Sequence, residues 1–143
     1  MVYQVSVFLE NKIGHLKHIT SILHQNKINI RTMNLTHSAH GWGILNMIVD
    51  HPRQAFETLN DGKISVALRE IIALKMEDHP GGLDKLLGKV EEAGINFTNA
   101  YGRILNEGND AFLVIDAVDY KEATQLLMDV GLQPLDESVV YGI

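Results

Sequence analysis

The chain repeats itself, and that repeat limits its fold more than any other property of its 143 residues. A shift of 67 positions lays Glu10, Gly14, Leu16, Ile28 and Asn29 on Glu77, Gly81, Leu83, Ile95 and Asn96, with Ile30 falling on Phe97. A period of about seventy residues is long enough for one complete supersecondary unit, so two copies of one unit are expected. The domains implied are 1–69 and 70–143.

Each half opens on a strand-like apolar run, Val5 to Leu9 and Ile71 to Met76, bounded by a loop containing glycine. Leu16, Ile19, Thr20 and Leu23 then recur at helical spacing, as do Leu83, Leu86, Leu87 and Val90, so each helix buries one face. Gly94 is placed to end the second helix in the left-handed conformation, and Asn26-Lys27 take that duty in the first half. Ile28 to Thr36 and Ile95 to Ile104 lead through polar turns into Gly43 to Val49 and Ala111 to Val118, the pattern of antiparallel hairpins. The returning strands are nearly all apolar and should lie mid-sheet.

A second helix follows in each half, over Ala55, Phe56 and Leu59 with Pro52 in its first turn, and over Ala123, Leu126, Leu127 and Val130. Last strands are predicted at Ile64 to Leu68 and Leu135 to Tyr141. Each half therefore reads β-α-β-β-α-β, an α+β ferredoxin-like unit. Two such repeats set side by side give an expected eight-stranded antiparallel sheet with four helices on one face, which removes two exposed edges.

Composition excludes several functions. Eighteen acidic against twelve basic residues leave a net charge of -6, the wrong sign for a chain that neutralises phosphates, so neither nucleic acid nor an anionic membrane is an expected partner. The absence of cysteine removes disulfides, thiolate metal sites and thiol nucleophiles. No apolar run approaches the roughly 20 residues of a membrane span, and the first residues lack a secretory leader, which makes the expected location cytoplasmic.

What repeats is concentrated in the turn after the first strand and at the start of the second. Asn11-Lys12-Ile13-Gly14-His15-Leu16 matches Asp78-His79-Pro80-Gly81-Gly82-Leu83. Glycine lets the backbone approach a ligand, and first-turn amides offer donors and positive potential to a carboxylate. Asn11 and Asp78 add acceptors for an ammonium group, and the combination suits a zwitterion. Helix capping by Asn11 and Asp78 explains the same residues without a ligand. Asn29 and Asn96 each sit between apolar residues at a strand start, carrying a donor and an acceptor where asparagine has poor β propensity.

The β-α-β-β-α-β repeat, with its Gly-x-Leu turns and Ile-Asn-(Ile or Phe) strand starts, resembles the ACT domain, twice over and across essentially the whole chain. The second half is the stronger match; the first departs at Ile13, where the family's pattern has proline, and at Lys27, where it has glycine. The resemblance implies a non-enzymatic regulatory protein that binds a free amino acid at the interface between paired domains and needs no cofactor. It implies ligand contacts at Asn11, Ile13, Gly14, His15, Leu16 and Asn29, and at Asp78, Pro80, Gly81, Gly82, Leu83 and Asn96. A homodimer and a regulated enzyme are the protein partners it leaves room for.

Two other readings compete. One is a ligand-free module that assembles with itself or an enzyme through its uncovered sheet, on which Val5, Val7 and Leu9 alternate with Gln4, Ser6 and Phe8. The other is a metal sensor built on the histidines, with His15 and His18 on one helix and His37 and His40 about a hairpin tip. Neither histidine pair has a strong ligand spacing, and no metal site is expected. Catalysis has no support, since no nucleophile elbow, P-loop, dinucleotide fingerprint or His-Glu-x-x-His helix occurs.

Overall fold

The structure, a computed structural model, describes residues 1–10, 12–38, 40–106 and 110–143. In chain order its elements are β1 (Val2–Glu10), α1 (His15–Gln25), β2 (Ile30–His37), β3 (Trp42–Val49), α2 (Pro52–Asp61), β4 (Ser65–Glu77), α3 (Gly82–Ala93), β5 (Phe97–Asn106), β6 (Asp110–Ala117), α4 (Tyr120–Asp129) and α5 (Glu137–Tyr141). They form two compact units. The N-terminal unit comprises Tyr3–Arg69 with Tyr141–Ile143, and the C-terminal unit comprises Glu70–Val140 with Met1–Val2.

In the N-terminal unit the strand order is β2-β3-β1-β4, which puts the apolar returning strand β3 inside the sheet. The antiparallel registers Val7 with Leu45 and Leu35 with Leu45 place these three side chains on one face. Alternation does the rest. Val5, Val7 and Leu9 of β1 and Leu45, Met47 and Val49 of β3 meet Ile19 and Leu23 of α1 and Ala55 and Leu59 of α2 in one buried core. Each large aliphatic side chain so buried contributes on the order of 2 kcal/mol. The opposite face holds a polar cluster, in which the Ser6 hydroxyl donates to Asn46 Oδ1 at 2.8 Å and the Gln4 amide donates to Ser6 Oγ and Asn46 Oδ1, each at 3.3 Å. The chain end joins this unit through Arg31, whose guanidinium donates to the carbonyls of Tyr141 at 2.7 Å and Gly142 at 3.0 Å.

In the C-terminal unit the order is β4-β6-β5, all antiparallel, with β6 again inside. Ile72, Leu74, Leu113, Ile115 and Ala117 of the sheet pack with Leu86, Val90 and Ala93 of α3 and Ala123 and Leu127 of α4.

The expected eight strands and four helices are corrected to six strands and five helices among the described residues. Two local causes account for the difference. The runs Ile64 to Leu68 and Ile71 to Met76 are one continuous strand, because Arg69 and Glu70 between them contain neither glycine nor proline to break it. The segment from Leu135 makes one strand-like bond, its N–H donating to the Ala73 carbonyl at 2.8 Å, and then turns helical. Asp136 starts that helix by accepting from the Val139 N–H at 3.2 Å and the Ser138 hydroxyl at 2.6 Å. Capping there prevails over the β propensity of Val139, Val140 and Tyr141.

Candidate functional site: the glycine turns before α1 and α3

Helices α1 and α3 both begin on a left-handed glycine, Gly14 at φ 84° and Gly81 at φ 91°. The carbonyls of these glycines accept the first helical bonds, from His18 N–H at 2.9 Å and Lys85 N–H at 3.0 Å. Neither helix has a side-chain cap at that position. Helix α4 shows the contrast: Asp119 caps it by accepting from the Glu122 N–H at 3.0 Å. The ends of α1 and α3 thus present positive helix potential that no N-cap side chain covers.

The next residue differs between the turns, yet both versions approach the same repeated carbonyl. Gly82 is buried, and a side chain there would run into the carbonyl oxygen of Glu77. In the first turn the equivalent residue is His15, half-buried, with ring Nδ1 3.2 Å from the carbonyl oxygen of Glu10. One backbone is therefore drawn in close where the other is held off by an imidazole.

Of the other expected contacts, Asn11 lies outside the described residues. Ile13 and Pro80 are exposed, Asp78 is half-buried, Leu83 is 44% exposed, and Leu16 packs against the N-terminal core. Ile13, Leu16, Asp78, Pro80 and Leu83 lie within two residues of Gly14 or three of Gly81 in the chain. Asn29 and Asn96 do not. They follow the far ends of α1 and α3, helices of 11 and 12 residues, so about 17 and 18 Å of helix separates them from the glycine turn of their own unit. Asn29 exchanges backbone bonds with Asp50, its N–H donating to Asp50 Oδ1 at 3.0 Å and its carbonyl accepting from the Asp50 N–H at 3.1 Å. Asn96 lines a cleft of about 280 Å³ with Gly94, Val118, Asp119, Glu122 and Leu126.

A second cleft, of about 140 Å³, lies beside the C-terminal turn. Met76, Leu86 and Leu132 give it apolar walls, and Lys75, Lys85 and Lys89 bring cations to its rim together with Glu77 and Gly82. Lys85 and Lys89, four residues apart, share one face of α3, a spacing present in the sequence but absent from the expected contacts.

These features match a known architecture. The family model for the ACT domain pair matches residues 1–141. The chain belongs to this family.

Protein BT0572 from Bacteroides thetaiotaomicron is similar to this ACT domain pair at 28% identity, with 99% of this chain and 96% of that one covered and a TM-score of 0.87. The ligand-free regulatory subunit of aspartate kinase from Thermus thermophilus shares the fold at 15% identity, over 91% and 93% of the two chains, with a TM-score of 0.64. The regulatory subunit of aspartate kinase from Thermus flavus does so at 14% identity, over 90% and 91%, with a TM-score of 0.57. No curated protein matches the sequence. Among the described residues of this ACT pair, no three histidine, aspartate or glutamate side chains gather as a metal site, and no helix is long and apolar enough to cross a membrane.

Proposed function

We propose that this ACT domain pair is a regulatory protein without catalytic activity of its own, which binds a free amino acid at the glycine turns opening α1 and α3. The carrying observation is the pair of left-handed glycine starts, Gly14 and Gly81, that lack the side-chain cap found on α4. A ligand carboxylate satisfies first-turn amides in the place where a capping carboxylate otherwise sits. In this reading Asp78 and Asn11 take the ammonium group, and Ile13, Pro80, Leu16 and Leu83 border the side chain. His15 and Gly82 set how closely a ligand approaches each turn. Asn29 and Asn96, at the far helix ends, are not assigned to these turns.

The fold shared with regulatory subunits of aspartate kinase supports a role exerted on a partner enzyme, through a ligand that favours one of two states. Thermal melts against each of the twenty amino acids test the reading. A ligand at one hundred times its Kd stabilises by about 2.7 kcal/mol, so a flat panel at millimolar concentration overturns it.

One observation favours assembly as a second reading. On the sheet face of the N-terminal unit opposite its core, Phe8 stands across from Ile44 and Trp42 across from Glu10, and the three apolar side chains are between 41% and 55% exposed. An open apolar sheet face of this kind is a surface for self-association. Sedimentation of wild type against Phe8→Ser separates the two, since a chain that is monomeric in both forms removes assembly.

A further inference from the structure

The repeat preserves one more feature at the two turns. Glu10 and Lys12 of the first half align with Glu77 and His79 of the second, and in each turn the cation reaches back two residues to the carboxylate. Lys12 Nζ lies 2.5 Å from Glu10 Oε2, and His79 Nε2 lies 2.6 Å from Glu77 Oε2. The other ring nitrogen of His79, Nδ1, is 2.9 Å from the carbonyl oxygen of Pro80. A carbonyl and a carboxylate are both acceptors, so satisfying both requires a proton on each ring nitrogen, and only the imidazolium carries two. His15 in the first turn meets a single carbonyl, which a neutral tautomer satisfies.

We propose that Glu77, His79 and Pro80 form a proton-dependent clamp that orders the C-terminal glycine turn and releases it as pH rises, while the Lys12–Glu10 pair stands at the equivalent positions of the first repeat. The consequence for affinity rests on the ligand reading above: a carboxylate ligand binds the C-terminal turn more weakly at alkaline pH. Two effects act together. Loss of the ring proton breaks one of the two bonds that fix the backbone leading into Gly81, and it removes the positive charge bonded to the Glu77 carboxylate, beside an anion site.

The charged groups around the clamp are consistent with its direction. On β4 they are Glu77 and Lys75, with Lys75 Nζ 3.5 Å from Asp110 Oδ1; Asp78 precedes His79 in the chain, and Lys85 acts on the ring from α3. The bonds to the Pro80 carbonyl and to Glu77 hold His79 above its ordinary value despite Lys85. In turn the His79 bond, aided by Lys85, holds Glu77 below the usual carboxylate range. A histidine raised in the folded state favours the clamped form below its unfolded value of about 6.5, and that preference is lost as pH rises through the folded value. Both side chains are more than half exposed, so the clamp orders a turn and adds little to global stability.

Ring-proton NMR titration of the intact chain tests the clamp without a ligand. The expected result is a His79 midpoint above about 6.5 that falls in Glu77→Gln, with the Gly81 and Gly82 amide signals following the same midpoint. In His79→Lys those amides should no longer shift over that range, and Lys12→His should create a titration at Gly14. A His79 midpoint equal in wild type and Glu77→Gln, or Gly81 and Gly82 amides indifferent to it, overturns the clamp. Melts with the twenty amino acids at about pH 6 and about pH 8.5 supply the affinity readout: ligand stabilisation should shrink at the higher pH in wild type and not in His79→Lys. A panel flat at both values overturns the amino-acid reading and its affinity consequence, and the ring titration then decides the clamp alone.

Discussion

Gly82 packs so closely against the Glu77 carbonyl that α3 can start in its present place only with glycine there. No side chain separates the Gly82 backbone from the Glu77 carbonyl at the end of β4, and that close approach sets where α3 begins. Gly82→Ala forces the helix away from backbone that cannot yield, at a cost of about 1–3 kcal/mol. Gly81→Ala meets no neighbour within 4 Å, and its cost of about 1–2 kcal/mol arises from the left-handed conformation alone. Urea unfolding measures both. The two losses also differ in kind, because only Gly82→Ala should displace the Lys85 and Leu86 amide signals.

Lys27 occupies the left-handed conformation, at φ 58°, that Gly94 supplies at φ 75° after α3. A side chain in this region is strained, while glycine enters it freely but loses more entropy on folding. Lys27→Gly is therefore expected to stabilise the chain by about 0.5–1 kcal/mol, and Gly94→Ala to destabilise it by about 1 kcal/mol. A shift of the denaturation midpoint at constant slope reports each.

The Asn46 side chain accepts from both Ser6 and Gln4, and Gln4 and Ser6 are almost wholly buried. Asn46→Ala removes the shared acceptor from two buried donors, for an expected loss of about 1–3 kcal/mol. A double-mutant cycle with Ser6→Ala should show coupling, since that variant removes the hydroxyl that donates to Asn46. Additive losses would mean that the cluster does not act as a unit.

Acid should loosen the link between β3 and the start of β2. Burial pushes the Asp50 carboxyl up, but the Asn29 amide, the bond and charge of His51 and the charge of Arg31 together bring it below its ordinary value. A carboxylate lowered in the folded state stabilises above its unfolded value of about 3.9, and that stability is lost as pH falls through the folded value. Asp50→Asn should reduce stability at neutral pH and flatten the acid limb. Melting temperatures taken across that range check the sign; an unchanged acid limb would remove Asp50 from the account.

Much of the site lies in short-range chemistry. Gly14, Gly81 and Gly94 announce their turns because a left-handed backbone favours glycine, and the alternation of Val5, Val7 and Leu9 assigns a face to the core because strand side chains alternate. The continuity of β4 across Arg69 and Glu70 was also present in the sequence, as the absence of a breaker, but only the paired sheet shows the strand running through. The helix α5 was obscured by its β-branched residues, and the cap at Asp136 that starts it depends on one carboxylate oxygen meeting two donors.

The amino-acid sequence by itself determined that there are two copies of one unit, which residues form α1 to α4 and the two cores, and where the glycine turns fall. These follow from periodicity and backbone sterics, which act over a few residues. Tertiary structure decided what those turns have around them. It put Asn29 and Asn96 a helix length from the glycines of their own units, pressed Gly82 onto Glu77, and set both nitrogens of His79 against acceptors. Such relations depend on where the folded backbone places each helix end and side chain, and residue spacing along a chain does not carry them.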